Sequence, residues 1–134
     1  MSRYYIFDTN IVSALLQMSN LGLLKQIQSH KRETLILCDP VIYEIERGLK
    51  HRQAHNMLAR FHLDFVPLFE LMPVRLEDWK LAGLLWSNAR SQGKQLSDVD
   101  LLIGAISIRL DGIIVSDDQD FGYIPVKLQN WLRP

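Results

Sequence analysis

Three times in this chain a short apolar run is followed at once by aspartate. Tyr4-Tyr5-Ile6-Phe7 leads into Asp8-Thr9-Asn10, Leu35-Ile36-Leu37-Cys38 into Asp39-Pro40, and Ile113-Ile114-Val115-Ser116 into Asp117-Asp118-Gln119-Asp120. In open parallel sheets ligands bind beyond the carboxyl ends of the strands, so acids placed there are expected to meet on the ligand side. Several anions gathered together repel one another unless a cation neutralises them or a proton is taken up. With no cysteine or histidine clustered beside them, oxygen ligands point to a hard ion, magnesium or manganese, and not to zinc. Asp8, beside Thr9 and Asn10, reads as a metal ligand; Asp39, ahead of Pro40, is better explained as a helix cap.

Two helical stretches carry further candidates. Downstream of Pro40, Val41, Ile42, Ile45 and Leu49 form one apolar arc at about 100° per residue. Glu44 falls on one margin of that arc beside Gly48, and Glu46 on the other, so the helical wheel leaves the choice between them open. In the stretch from Ser97 the apolar residues lie almost all round, the pattern of a buried helix, and Asp100, Gly104 and Ser107 share its one small or polar face. A carboxylate on a buried helix needs a partner, which favours Asp100 as a ligand over Asp98. Asp98 is expected in a supporting place at the positive end of the helix dipole.

The elements that must position these acids follow from periodicity. Arg3 to Phe7, Thr34 to Cys38 and Gly112 to Ser116 read as buried strands, and Val126-Lys127-Leu128 as a short closing strand. Helices are expected over Asn10 to Gln17, Leu21 to Ser29 (started by Ser19-Asn20), Val41 to about Lys50, Gln53 to His62, Leu76 to Ser91, and Ser97 to about Arg109. Ser97-Asp98-Val99-Asp100 has capping-box form, and Asp111-Gly112 marks a turn. Strands alternating with helices predict an α/β three-layer sandwich with a central, mainly parallel sheet flanked by helices. With no linker or repeat in view, residues 1–134 are expected to form a single domain.

Bulk properties narrow the classes. The chain is 48% hydrophobic and 22% charged, ordinary for a globular protein. Fifteen basic and fifteen acidic residues give a formal net charge of zero, so composition lends no support to nucleic-acid binding. Any such role rests on a site where metal ions supply the positive charge. Cys38 is the single cysteine, so no internal disulfide is possible, and it reads as a small buried hydrophobe in a reducing, cytoplasmic setting. The apolar stretch before Asp8 is too short for a signal peptide, and no run approaches the roughly 18 residues of a membrane span.

Taken in order, the motifs resemble the PIN domain, and most closely the VapC-type toxins of toxin–antitoxin pairs. The resemblance is carried by Phe7-Asp8-Thr9-Asn10-Ile11-Val12-Ser13; by Tyr43-Glu44-Ile45-Glu46-Arg47-Gly48-Leu49, a glutamate followed four residues on by glycine; by Asp98-Val99-Asp100-Leu101-Leu102-Ile103-Gly104-Ala105; by Val115-Ser116-Asp117-Asp118-Gln119-Asp120-Phe121; and by the closing Val126 to Trp131. It covers essentially the whole chain. Gly104 departs from the pattern, standing where alanine is usual.

The resemblance selects Glu44, and it implies a magnesium-dependent endoribonuclease in which Asp8, Glu44, Asp100 and Asp118 are catalytic and hold one or two ions. Manganese is the alternative ion, Asp120 a further metal candidate behind Asp118, and Asp117 ranks third. Thr9, Asn10 and Ser116 would position water or a ligand carboxylate, and Lys50 and Arg52 would contact the RNA backbone. The four histidines have no required role. The resemblance also implies an RNA substrate, with tRNA a candidate, a cognate antitoxin and a homodimer. The alternatives are a PIN-fold nuclease outside such a pair and a catalytically silent acidic-pocket binding or signalling domain. A phosphoacceptor domain wants an acidic pair after the first strand and a lysine after its last full strand, and neither is apparent. A haloacid-dehalogenase-like phosphatase wants a second aspartate at position 10, which is Asn10.

Overall fold

The computed structural model describes residues 3–17 and 20–134. Five strands, β1 (Tyr4–Phe7), β2 (Thr34–Cys38), β3 (Glu70–Met72), β4 (Ile113–Val115) and β5 (Lys127–Gln129), form one sheet in the order β3-β2-β1-β4-β5. Every pairing is parallel, with Tyr5 opposite both Leu35 and Ile113, Ile36 opposite Glu70, and Ile114 opposite Leu128. Tyr5, Ile6 and Phe7 are all buried although successive side chains point to opposite faces, so helices cover both sides of the sheet.

The helices are α1 (Thr9–Leu16), α2 (Leu21–Ser29), α3 (Asp39–His51), α4 (His55–Arg60), α5 (Leu76–Ser91) and α6 (Asp98–Arg109). No helix among the described residues is long and apolar enough to cross a membrane. The chain steps outward from β1 to β2 and β3, then returns across the sheet to lay β4 on the other side of β1. Strand order therefore reverses between β1 and β4, and the crevice beyond their carboxyl ends is where such sheets bind ligands.

Local chemistry explains most boundaries. Asn20 caps α2 by accepting the Leu23 N–H at 3.0 Å, while Ser19 lies outside the described residues. Ser97 caps α6 by accepting the Asp100 N–H at 3.1 Å. Asp39 is not the cap expected for it: Cys38 holds that place without a side-chain bond, and Asp39 sits in the first turn, where the dipole favours an anion. The helix expected from Gln53 to His62 begins only at His55, because Gln53 has a left-handed φ of 54° that no helix interior admits. It then widens into a π turn over Phe61–Phe65 and tightens into a 3-10 turn over Val66–Leu68 that contains Pro67. Strand β3 was not expected: it is a three-residue edge strand with exposed Leu71, followed by Pro73, and carries no alternation to read. At the turn before β4, Asp111 takes the positive φ of 51° and Gly112 permits close approach. A Cβ on Gly112 would stand 2.4 Å from Ile6 Cδ1 and 3.0 Å from the Tyr4 carbonyl oxygen.

Two contacts lock the periphery. Trp131, after β5, packs on Tyr5 and Phe7 with ring centroids 5.1 and 5.4 Å away, and His30 stacks on its outer face at 4.3 Å. Between α5 and α6, Asp78 receives both arms of Arg109, at 2.7 and 3.0 Å, and the Arg75 N–H at 2.8 Å. Asp78 is 1% exposed and the Arg109 side chain 13%, so removing the carboxylate strands a guanidinium with little water. We expect Asp78→Ala to destabilise the fold by about 3 kcal/mol in urea unfolding, more than an exposed ion pair could account for.

Candidate active site

Asp8 ends β1 and caps α1, and both of its oxygens are used: Oδ1 accepts the Thr9 N–H at 2.7 Å and Oδ2 accepts the Ser116 hydroxyl at 2.7 Å. Ser116 leaves β4 on the neighbouring side of the crevice, and the Asp8 N–H donates to the Val115 carbonyl at 3.0 Å, fastening the two strand ends together. The Ser116 oxygen in turn accepts the Asp118 N–H at 2.9 Å and the Asn10 amide at 3.5 Å. One hydroxyl thus fills its donor and both acceptor positions while aiming Asp8. From α1, the Thr9 hydroxyl donates to Glu44 Oε1 on α3, whose other oxygen lies 3.5 Å from Arg47. Asp100 enters from the first turn of α6, half-buried, its backbone held by Ser97.

Asp8, Glu44, Asp100 and Asp118 line one open cleft of about 570 Å³, together with Thr9, Asn10, Ser13 and Ser97. Electrostatics show that the acids sense one another. Burial raises the Asp8 carboxyl above its ordinary value, against the Ser116 and Thr9 hydrogen bonds, and Glu44 and Asp118 push it further. Asp100 is pushed up to about 7, chiefly by burial and then by Asp8, with smaller contributions from Asp118 and Glu44 opposed by Ser97. Cys38, by contrast, is an inert core thiol pushed up to about 12 by burial.

The remaining expected residues are placed elsewhere, for identifiable reasons. Glu46 faces away and pairs with His62 at 2.8 Å and with Lys50 at 3.7 Å, which separates it from Glu44. Lys50, exposed and 3.7 Å from Glu46, does not line the cleft, whereas Arg52 lines a groove that shares residues with it. Asp98 stands in the first turn of α6, at the positive end of the dipole, but outside the cleft: two residues along a helix turn the side chain by about 200°, and it lines a separate groove with Trp79 and Trp86. Asp39 is exposed and outside the cleft.

In the acidic loop, Asp117 accepts from Asn130 at 2.6 Å and lies 3.4 Å from Arg133, while its N–H donates to Asn10 at 3.3 Å. Asp120 pairs with Lys94 at 3.0 Å and donates its N–H to Asp118 at 2.9 Å, so it stands behind Asp118 instead of beside it in the cleft. Sequence reasoning passed over Ser13 and the cap Ser97 as lining residues, and Arg47 as the cation on Glu44, although its spacing of three on a helix was legible.

The donor set suits a hard divalent ion: carboxylates, hydroxyls and an amide, with a surplus of negative charge and no lysine or arginine lining the cleft. Among the described residues no three Asp, Glu, His or Cys side chains converge as a complete ligand set. Of the neighbouring charges, Asp8 acts most strongly on Asp100.

A consequence for stability follows. The folded chain keeps a proton on Asp100 up to about pH 7, whereas an unfolded aspartate releases it near 3.8. Between those values the folded state holds the extra proton, so stability falls as pH rises and the loss is complete above about 7. In EDTA at pH 8, Asp100→Asn should melt about 3–5 °C above the parent chain, and the gap should close near pH 4. Thermal scans across that range check it; an equal gap at both ends would exclude this origin.

Comparison with known proteins bears on the fold and the family. A profile of the PIN domain matches residues 5–127. The fold superposes on a chain of VapBC from Salmonella typhimurium, bound to DNA, with TM-score 0.87 and 14% identity, covering 98% of this chain and 99% of that one. For VapBC2 from Rickettsia felis, bound to a DNA fragment from its promoter, the TM-score is 0.83 at 20% identity, covering 96% and 98%. For VapC20 from Mycobacterium tuberculosis, described as a sarcin-ricin loop cleaving toxin, it is 0.66 at 19% identity, covering 88% and 92%. No curated protein matches by sequence. At these identities the superpositions establish the shared fold, and the profile, spanning nearly the whole chain, establishes that it belongs to the PIN domain family.

Proposed function

We propose that the chain is a divalent-metal-dependent endoribonuclease and the toxin of a type II toxin–antitoxin pair. The observation that carries this reading is that Asp8, Glu44, Asp100 and Asp118, from four separate parts of the sequence, line one cleft at the strand-order reversal. The VapBC and sarcin-ricin loop cleaving relatives support it, the former for a protein partner and the latter for RNA.

Asp8 and Asp100 would hold magnesium or manganese directly, with Asp118 and Glu44 completing the acidic wall through water. A bound ion supplies two things here, a lowered pKa for water and stabilisation of the charge that builds on the phosphate. The chain's own groups do the positioning. Ser116 and the Thr9 N–H fix the two oxygens of Asp8, the Thr9 hydroxyl fixes Glu44, and Asn10 braces the loop that presents Asp118. Arg52, which lines the adjoining groove, would take an RNA phosphate. Zero net charge fits this arrangement, because the ion and a few local cations carry the attraction for RNA.

Asp8→Asn tests the assignment. The amide is nearly isosteric and neutral; it keeps one acceptor and loses the other, to Thr9 or Ser116, a cost offset in part because burial disfavours the charge it removes. We expect magnesium-dependent cleavage of purified RNA to fall by about 10³-fold while circular dichroism is kept and the melting temperature falls by no more than about 5 °C. Full activity in a folded variant would refute the reading.

A further inference from the structure

We propose that the groove between α1 and α3, continuous with the carboxylate cleft, takes the sugar–phosphate chain of single-stranded RNA next to the scissile bond, and that Gly48 keeps it open. The inference rests on the nuclease reading and goes beyond it by assigning the path of the substrate. Gly48 lies inside α3, where glycine is among the least favourable residues. Glycine is retained in helices where a neighbour must come close, as at Gly104, where a Cβ would stand 2.6 Å from Ile124 Cδ1. At Gly48 an added Cβ meets nothing within 4 Å. Packing within the chain therefore does not account for it.

The space it leaves is a narrow groove of about 70 Å³. Thr9, Ser13, Gln17 and Glu44 line both this groove and the carboxylate cleft, so the two form one depression. Arg52, the residue that caps α3, also lines it. Of the cations on α3 itself, Arg47 lies 3.5 Å from Glu44 and Lys50 3.7 Å from Glu46, and neither lines the groove. An acidic reaction centre, a groove lined by polar (Thr9, Ser13, Gln17) and apolar (Leu16, Leu49, Met57) side chains, and the Arg52 guanidinium suit a polymer that alternates sugar faces with regularly spaced phosphates, one at the cleft and a neighbour at Arg52. Gly83 on α5 is equally open, but it lies between exposed Trp79 and Trp86 with no reactive cleft adjoining, and nothing shows what covers it.

Gly48→Ala, Gly48→Leu and Arg52→Gln separate the possibilities, measured with magnesium on a mixed-sequence single-stranded RNA and by anisotropy with the same RNA labelled. Both Gly48 variants should melt at the parent temperature or about 2–4 °C above it, since they improve the helix. Gly48→Leu should raise KM at least about 5-fold. Arg52→Gln should do the same and flatten the slope of log Kd against log salt by about 0.7, one phosphate contact in a single strand. A fall in melting temperature for Gly48→Ala would make this a packing glycine and overturn the proposal. So would an unchanged KM for Gly48→Leu, including the case where that variant loses a protein partner instead. A wild-type chain that cuts no RNA would remove the nuclease reading and this proposal together, whereas a cutting wild type with an unaltered Gly48→Leu variant removes this proposal alone.

Discussion

Carboxylates crowded at the reversal of strand order, in a cleft that no lysine or arginine among the described residues lines and that only exposed Arg47 approaches, at Glu44, set the character of this protein. The contrast with Asp78 shows why burial alone is not the signature. Asp78 is the more buried, 1% against 5% for Asp8, yet Arg109 grips both its oxygens and it serves as a rivet between two helices. Asp8 is held only by neutral donors, the Ser116 hydroxyl and the Thr9 N–H, which orient it without discharging it. A fold that spends hydrogen bonds on aiming an anion, and supplies no counter-charge, is prepared for a cation from outside.

The loop after β4 shows how one acidic stretch is divided among different tasks. Asp117 is drawn outward by Asn130 and Arg133, and Asp120 by Lys94. Asp118, between those two tethers, is the member that lines the cleft. Its carboxylate also accepts the Asp120 N–H, so the loop is braced from inside as well. Three aspartates in four positions are thus two anchors and one working group.

Much of this was legible in the sequence because fully buried strands and a capped, nearly all-apolar helix leave strong patterns. The runs ending at Phe7, Cys38 and Val115 and the Ser97 cap are of that kind. Strand β3 was not, since three edge residues, one of them an exposed leucine, have no periodicity to reveal. Periodicity also could not separate Glu44 from Glu46, which flank the same apolar arc. That choice depends on partners far along the chain: Thr9 for one, His62 for the other. The tethers of Asp117 and Asp120 were invisible for the same reason, being contacts made only after folding. Asp98 and Lys50 lie near the cleft residues in sequence, but neither lines the cleft.

The bond from Ser116 to Asp8 joins residues 108 positions apart, and the clasp on Asp117 comes from Asn130, still later in the chain. Closing so long a loop carries an entropy that no local contact offsets, and contacts of this range form slowly. A polypeptide emerging from the ribosome exposes Asp8 long before Ser116 and Asn130. The cleft is therefore assembled only once the chain through Asn130 has been made, and a chain stalled short of it carries the acids without the contacts that orient them.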